Sequence, residues 1–494
     1  MSPETRPSIA PAQLASLAPD VQELIRGIVD HYELRLRESE ARIQAMQVEM
    51  AAMRSEIASL KDQLQSDRKT PHNSSLPPSS EHPHAKPVST TTASQKKRGG
   101  QPGHPKHERK LIPVELCHAV HPLKPSCCRG CGSELAGDDP QPLRHQVWEI
   151  PQPQPLVTEY VRHRLTCPGC GQTTCAELPE GVPEHTSGPR LVAVTGLLMA
   201  LFRQSKRRTA LALGELFGVP VSPGLVVKLQ QRLTDALAPS YEEMRTALPQ
   251  TKVCNCDETA MKEGKKKSWL WTVVTATFTV FAIRLTRSAD VIETLLGRKY
   301  KGVVGCDRYA GYNHFNDRRQ ICWAHLKRDF QAMIDAGGQA RKIGDRLMDH
   351  LHHVFDHWHR YRSGQTTRRT MQTNIKSLYH TVWQTLEDGE RCSHGPTAAT
   401  CRDLFDRFDQ LWMFRDHPGV DPTNNVAERS LRSAVIWRKL SFGTQSDQGS
   451  RFVETMLSVI ETCRQQNRNA FDFLTAATEA ALNGQEPPKL LRGV

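Results

Sequence analysis

The sequence lacks any long hydrophobic run, and this absence excludes membrane-spanning proteins. Its most apolar stretch, residues 270–283, is too short to cross a bilayer and is better explained by paired strands. Residues 1–30 also lack the basic start and continuous apolar run of a secretory signal. Only 38% of the residues are hydrophobic, so polar stretches outside the folded cores are expected. We expect a cytoplasmic protein with no membrane partner.

Acidic residues are outnumbered by basic ones. The chain has 65 Lys and Arg against 53 Asp and Glu, which gives a formal net charge of +12. Such a balance favours a polyanionic partner, nucleic acid first, although a merely solvated basic surface would have the same composition. At about 100–200 residues per domain, the 494 residues leave room for several domains. No internal repeat is visible.

Seven of the 14 cysteines lie between Cys117 and Cys175. In a large chain without a secretory signal, such a cluster favours metal binding over disulfides. Two C-x2-C pairs, each followed by glycine, supply the four thiolates that zinc prefers. They predict a structural Zn²⁺ site in a zinc-ribbon-like module at 113–185, with the ligands Cys128, Cys131, Cys167 and Cys170.

Alternatives to this zinc assignment remain open. All four cysteines could be unliganded, Cys127 could replace Cys128, and Cys117 or Cys175 could contribute. Residues 148–167 alternate in polarity as a pair of strands would. Four cysteine ligands would leave no open position for water, so a catalytic zinc is not expected.

The pattern of residues 20–66 predicts one long helix. From Ile43 onward, apolar residues recur at alternating spacings of three and four, which is a heptad pattern. The pattern predicts a coiled coil and self-association into a homo-oligomer, although an amphipathic helix packed on its own protein would also explain it. Residues 67–112 are rich in proline, serine, threonine and basic residues and cannot bury a core. In this linker, Lys97 and Arg98 could contact DNA phosphates, or the linker could be merely solvated.

Residues 188–250 read as helices and include a candidate helix-turn-helix. A helix is predicted at Thr209–Phe217, followed by a turn at Gly218–Val221. Ser222 is a natural N-cap, and Pro223 suits the first position of a second helix. The layout suits a helix that enters a DNA major groove, although ordinary helix packing produces similar patterns.

The segment 251–310 predicts the order strand–strand–strand–helix–strand, with aromatic and β-branched strands at 268–277 and 279–286 and a short apolar run at 302–306. Asp257 ends the first predicted strand, and Asp307 ends the fourth. If these strands are neighbours, the two carboxylates meet and repel unless a cation lies between them. Oxygen ligands of this kind select Mg²⁺ or Mn²⁺. A third candidate, Glu428, lies one turn into a helix that Thr423 or Asn424 could cap, and Arg432 follows as a possible phosphate contact.

These motifs together resemble the insertion-sequence 66 family of transposases, which belongs to the DDE group with an RNase H-like catalytic domain. The central matching stretches are DET at 257–259, GCDRYAGYN at 305–313, CWAHLKRDF at 322–330 and NNVAERSLR at 424–432. Before them, NSSLPPS at 73–79 and KKRGGQPGH at 96–104 follow the predicted coiled coil, as in the family.

The resemblance implies a multidomain α+β enzyme that cleaves element ends and joins them to target DNA. Asp257, Asp307 and Glu428 would be its catalytic acids and would bind Mg²⁺ or Mn²⁺. The RNase H-like domain would span 251–445 with a helical insertion at about 330–415, and a helical region would follow at 446–494. His325, in a C-x2-H element, and Arg328 are candidate DNA contacts, although His325 could instead pack structurally.

The resemblance also implies terminal inverted repeats and target DNA as partners, together with two small accessory proteins from the same element. A bacterial, nucleoid-associated location would follow. Two rival hypotheses remain: a DNA-binding regulator on a decayed transposase scaffold, and a structure-specific nuclease of the same fold.

Overall fold

The computed structural model describes residues 14–66, 73–74 and 109–491, with residues 58–66 described by their backbone alone. It combines helices with two β-sheets, as expected of a multidomain α+β protein. Lys97 and Arg98, the predicted phosphate contacts of the linker, lie outside the described residues. Within the described ranges, no helix is long and apolar enough to cross a membrane.

The elements are numbered in chain order. The α-helices are α1 Pro19–Ser66, α2 Pro189–Ala200, α3 Lys206–Phe217, α4 Pro223–Ala247, α5 Ala289–Leu296, α6 Trp323–Asp335, α7 Gly338–Arg362, α8 Arg368–Glu390, α9 Gly395–Asp406, α10 Met413–Asp416, α11 Asn425–Ser441, α12 Asp447–Gln465 and α13 Ala470–Leu482. The strands are β1 Arg164–Thr166, β2 Thr173–Cys175, β3 Val253–Glu263, β4 Lys266–Val274, β5 Thr279–Arg284, β6 Val303–Cys306 and β7 Arg319–Ile321. Short 3-10 helices lie at Val114–Leu116, Leu248–Gln250, Ala310–Arg318 and Phe408–Leu411.

The chain divides into two compact units. One comprises residues 1–81, 238–470 and 489–494, and the other comprises residues 82–237 and 471–488. The first unit contains a five-stranded sheet in the order β5-β4-β3-β6-β7. The strands β3, β4 and β5 are antiparallel neighbours, whereas β6 runs parallel to β3 and β7 runs parallel to β6.

The edge strand β5 is covered by helix α12 through an unusual set of contacts. The backbone N–H of Thr279 donates to the hydroxyl of Thr462 at 3.1 Å, and that of Phe281 donates to the hydroxyl of Ser458 at 2.8 Å. The N–H of Ile283 donates to the Glu454 carboxylate in the same way. Because acceptors four residues apart lie on one helix face, α12 satisfies alternate N–H groups of the strand.

A second core in this unit is built by helices α6 to α9 and the segment after them. Trp323 and Trp412 pack with ring centroids 5.2 Å apart, and both are almost fully buried. Leu347 and Leu386 contribute from α7 and α8. The predicted insertion at about 330–415 is therefore helical, and it shares its apolar core with Val303 of β6 and Ile321 of β7.

Helix α1 exposes a row of apolar side chains along its length. Tyr32 is 70% exposed, Met46 is 63% exposed and Ile57 is 52% exposed. The helix begins at Pro19 and ends at Ser66, so it agrees with the predicted helix at 20–66 to within one residue. Its apolar row is thus available in a single copy of the chain.

The second unit contains the cysteine module and the predicted helix-turn-helix. The alternation in residues 148–167 wrongly predicted a pair of strands there. Only Arg164–Thr166 forms a strand in that stretch, and it pairs with Thr173–Cys175 across the second C-x2-C pair. Three prolines between 151 and 155 reduce the number of backbone donors, which opposes a ladder of hydrogen bonds.

Helix α3 begins three residues before the predicted start at Thr209. The Ser205 hydroxyl accepts a hydrogen bond from the Arg208 N–H at 3.3 Å and so caps the earlier start. Gly218 ends the helix with a φ of 66°, and the Ser222 hydroxyl accepts from the Leu225 N–H at the start of α4. The predicted turn between these helices is therefore present.

Candidate active site

The central strands of the large sheet bring Asp257 and Asp307 to adjacent positions. In the parallel pair β3–β6, Asn255 lies opposite Gly305, so Asp257 and Asp307 each follow two residues later along adjacent segments. Parallel neighbours are about 4.8 Å apart. The prediction that β3 ends at Asp257 is wrong, because β3 continues to Glu263 in its pairing with β4. What ends near Asp257 is the pairing with β6.

The electrostatic surroundings of Asp257 are those of a carboxylate cluster. Burial raises its pKa well above the usual range, and the nearby carboxylates of Glu258, Asp307 and Glu428 raise it further. The Glu258 N–H donates to the Asp257 carboxylate at 2.9 Å, and this bond opposes the rise. Among the described residues, no cationic side chain forms an ion pair with Asp257 or Asp307. Asp257 and Asp307 therefore lie close to other carboxylates without a paired cation of their own.

Glu258 has a different environment from its neighbour Asp257. Its buried carboxylate accepts two hydrogen bonds from Arg287, at 2.9 and 2.6 Å, and another from the Tyr312 hydroxyl. The Arg287 guanidinium stacks on Trp269 and Tyr309, 4.8 and 3.8 Å from the ring centroids. Glu258 is thus already neutralised and fixed, and it supports the site.

The loop that carries Asp307 is fixed by Arg319, which lies fully buried in the edge strand β7. Its guanidinium donates to the backbone oxygens of Asp307 and Tyr309, at 2.6 and 3.1 Å, and to the Asn313 side chain at 2.8 Å. The Tyr309 N–H in turn donates to the Asp307 carboxylate at 2.9 Å. These contacts fix the backbone of the Asp307 loop and hold the Asp307 carboxylate against the Tyr309 N–H.

Asn424 joins the helix of Glu428 to the strand of Asp257. It is fully buried, and its side-chain amide donates to the Cys256 backbone oxygen at 2.7 Å and accepts from the Asn255 amide at 3.0 Å. Asn424 occupies the N-cap position of α11, but its side chain makes no capping hydrogen bond. The Asn424 side chain therefore does not cap α11 as expected. It bonds to β3 instead, and this contact holds the start of the helix that carries Glu428 against the strand.

His325 lies beside Glu428. Its Nε2 atom is 3.3 Å from the Glu428 carboxylate. Burial lowers the pKa of His325, and the charge of Arg328 lowers it further, whereas Glu428 opposes the shift. The side chain of Glu428 is 43% exposed, and Arg432 is also exposed one turn later on α11. His325 thus lies beside the carboxylate cluster, whereas Arg432 faces solvent on the same helix as Glu428.

Arg308 connects the Asp307 loop to the helical insertion. Its guanidinium pairs with Asp329 on α6 at 3.1 Å and with Asp403 on α9 at 2.9 Å. The sequence motif around Asp307 contains Arg308, but the two acids that pair with Arg308 lie 21 and 95 residues after it in the chain. Only the folded insertion shows that these side chains meet.

The cysteine pairs form two similar turns. The Gly132 N–H donates to the Cys128 oxygen at 2.9 Å, and the Gly171 N–H donates to the Cys167 oxygen at the same distance. Both glycines have a left-handed φ, 77° and 73°, which suits a residue without Cβ.

Hydrogen bonds lower the pKa of two of these thiols. For Cys131 the first cause is the Ser133 hydroxyl, and for Cys167 it is the Cys170 backbone. Soft donors that ionise readily fit Zn²⁺. Across the described ranges, however, no three side chains of His, Cys, Asp or Glu are arranged to hold a metal ion, in this module or at the carboxylates.

Comparisons with known proteins cover both units. The profile of the Transposase IS66 family matches residues 190–451, which is more than half of the chain. The zinc-finger binding domain of transposase IS66 matches residues 125–171, and a family of unknown function matches residues 29–110.

Two relatives from Sinorhizobium fredii (strain NBRC 101917 / NGR234) are named only as uncharacterized proteins. One, y4qI, is 22% identical over 395 residues, which covers 72% of this chain and 70% of the relative. The other, y4hP, is 23% identical over 399 residues, which covers 72% and 69%. The family match encloses the sheet, Asp257, Asp307 and Glu428, and the chain therefore belongs to the IS66 family of transposases.

Proposed function

We propose that this transposase cleaves the ends of its insertion element and transfers them to target DNA by DDE chemistry, with Asp257, Asp307 and Glu428 as the catalytic acids. The observation that carries the proposal is the register of β3 and β6, in which Asn255 and Gly305 lie opposite each other, two residues before Asp257 and Asp307. The hydrogen bonds of Asn424 to β3 support the inclusion of Glu428, one turn later on α11. The sheet order, with three antiparallel strands followed by two parallel ones, supports an RNase H-like assignment.

The donor set of the three acids fits Mg²⁺ or Mn²⁺. Carboxylates that raise one another's pKa are stabilised by a hard divalent cation. When bound, such ions neutralise charge on phosphoryl oxygens and lower the pKa of water. The chain's own residues hold the geometry: Arg287 neutralises Glu258, and Arg319 orients the Asp307 loop.

The remaining parts of the proposal concern DNA and partners. The exposed apolar row of α1 supports pairing with a second copy in a coiled coil. Helices α3 and α4, with the capped turn between them, support a helix-turn-helix that reads the terminal inverted repeats. The cysteine turns support a structural zinc held by Cys128, Cys131, Cys167 and Cys170. Accessory proteins of the element remain a proposal from family membership.

A strand-transfer assay tests the chemistry. DNA that carries the element's terminal repeats is incubated with Mg²⁺ and either the wild-type protein, Asp257→Ala or the matched control Asp290→Ala. Asp290 is an exposed acid in the first turn of α5. We expect joined product from the wild type and from Asp290→Ala, and none from Asp257→Ala.

Calorimetric titration with Mn²⁺ gives a second, DNA-independent readout. The wild type and Asp290→Ala should bind Mn²⁺, and Asp257→Ala should bind it at least tenfold more weakly because one of three ligands is lost. If the wild type binds the DNA ends but yields no joined product with any divalent ion, the DDE proposal is wrong. Full activity of Asp257→Ala would also contradict it.

A further inference from the structure

Helix α11 is followed by an exposed aromatic side chain in an unfavourable backbone conformation. Phe442 is 79% exposed, and its φ of 59° and ψ of 21° are left-handed. Glycine or asparagine usually occupies this position after a helix, because other side chains are strained there. A large apolar ring that is exposed and strained contributes little to the fold. Its presence therefore calls for an explanation outside the chain.

The turn that presents Phe442 is held firmly against the β3–β4 hairpin. The Thr444 N–H donates to the Lys262 oxygen at 3.0 Å, and the Gly264 N–H donates to the Thr444 oxygen at 2.7 Å. A Cβ on Gly443 would lie 2.3 Å from that same Lys262 oxygen, so only glycine permits this approach. The ring of Phe442 consequently projects from a backbone that is fixed on both sides.

Positive charge surrounds the projecting ring. Lys262 and the run Lys265–Lys267 are exposed at the hairpin, and Lys439 is exposed on the last turn of α11. The neighbouring acids have other partners, since Glu263 accepts from Ser450 and Asp447 pairs with Arg451 at 3.3 Å. We name the surface formed by Lys262, Lys265–Lys267, Lys439, Leu440 and Phe442 the α11 tip. Its charge complements a polyanion, and its apolar side chains suit the interior of a base stack.

The α11 tip lies on the same helix as the candidate catalytic Glu428. Exposed residues along α11 recur at Glu428, Arg432, Ile436 and Leu440, each four residues after the last, so they share one face. From Glu428 to Phe442 is 14 residues, which is about 21 Å along the helix axis. That length corresponds to about six base pairs of duplex at 3.4 Å each.

We propose that Phe442 acts as a wedge that enters a base step of the bound DNA, about six base pairs from the scissile phosphate when α11 lies along the duplex axis. The lysines of the α11 tip bind the backbone phosphates on either side of that step. Apolar side chains inserted in this way partly unstack the bases and kink the duplex. The inference rests on the proposed function for the position of the phosphate, whereas the wedge itself needs only DNA binding.

Fluorescence anisotropy with two labelled duplexes tests the wedge. One is a perfect duplex of about 30 base pairs. The other has one unpaired adenine at its centre, which lowers the free-energy cost of separating the stacked bases there. We expect the wild-type protein to bind the bulged duplex about tenfold more tightly, in line with the worth of stacking one base on an aromatic ring. Phe442→Gly should bind both duplexes equally.

Thermal melting separates this role from a structural one. Phe442→Gly should melt at the wild-type temperature or above it, because glycine relieves the left-handed strain. The variant Lys265→Gln/Lys266→Gln should weaken both duplexes by the same factor, reduce the salt dependence and keep the bulge preference. Asn467→Gly is the matched backbone control, since Asn467 also has a positive φ, 52°, and it should change neither property.

The outcomes distinguish the wedge from the chemistry. Asp257→Ala should keep the bulge preference, so a failure of strand transfer with this preference intact contradicts only the proposed function. The wedge is refuted if the wild type shows no preference or if Phe442→Gly retains it. It is also refuted if Phe442→Gly lowers the melting temperature by several degrees or changes the oligomeric mass, because the ring would then belong to a fold or protein contact.

Discussion

Replacement of Asn424 by alanine should damage both stability and activity, and the structure gives the size of the effect. The change removes one buried and one partly buried hydrogen bond, and it leaves the Cys256 oxygen and the Asn255 amide without these partners. A buried polar group left unsatisfied costs about 1–3 kcal/mol, and the partly buried Asn255 amide costs less, so the free energy of unfolding should fall by about 2–5 kcal/mol. Urea denaturation followed by circular dichroism measures this loss.

The loss of activity should exceed what the loss of stability explains. Glu428 lies one turn after Asn424, so a shift of α11 displaces its carboxylate from Asp257. A displacement of about 1 Å can lower a rate by about a hundredfold. Strand transfer, measured at a temperature where circular dichroism shows the variant to be folded, should fall by about that factor.

Thr423→Ala is the matched control for this prediction. Thr423 precedes Asn424 and is only partly buried, so its truncation should cost less than about 1 kcal/mol and leave strand transfer intact. Should the Asn424→Ala protein be destabilised yet fully active, Asn424 would not position Glu428. Should it be neither destabilised nor inactive, the buried contacts with β3 would themselves be in question.

Two further predictions concern pH and zinc. Burial raises the pKa of Glu454 from 4.5 to about 7, so its contribution to stability is full below about pH 4.5 and is lost as the pH rises through 7, a difference of about 3 kcal/mol. Between pH 5 and pH 8.5, the free energy of unfolding measured by urea denaturation should therefore fall more for the wild type than for Glu454→Gln. Equal falls in the two proteins would contradict the raised pKa of Glu454. Cys128→Ser should lose the bound zinc, measured by colorimetric release, whereas Cys127→Ser should keep it. The reverse pattern would assign the ligand to Cys127 in place of Cys128.

Much of the sheet was predictable because its strands follow local patterns. The aromatic and β-branched residues of 268–277 and 279–286 predicted β4 and β5, and the short apolar run before Asp307 predicted β6. The strand β7 was not predicted. It contains Arg319 and Gln320, whose polar side chains are buried because the folded loops supply their hydrogen-bond partners. No local pattern could show that.

The candidate site was predictable in part for a similar reason. Asp257 and Asp307 followed from the ends of apolar runs, whereas Glu428 was selected chiefly by resemblance to a family. The supporting residues Arg287 and Arg319 were missed, because each acts through partners that are distant in the sequence or on irregular loops. Asn424 was recognised only as a helix cap, since its contacts with β3 cross 168 residues.

The closed edges of the large sheet limit how copies of this protein can assemble. At one edge, side chains of α12 occupy the N–H groups of β5 at Thr279, Phe281 and Ile283. At the other edge, β7 is three residues long, and its Gln320 side chain bonds to the backbone of Leu411 and Phe414. A covered edge and a very short edge strand both offer little template to a strand from another molecule. The pairing of two copies proposed through α1 would therefore leave the sheets that carry the acids separate in each copy.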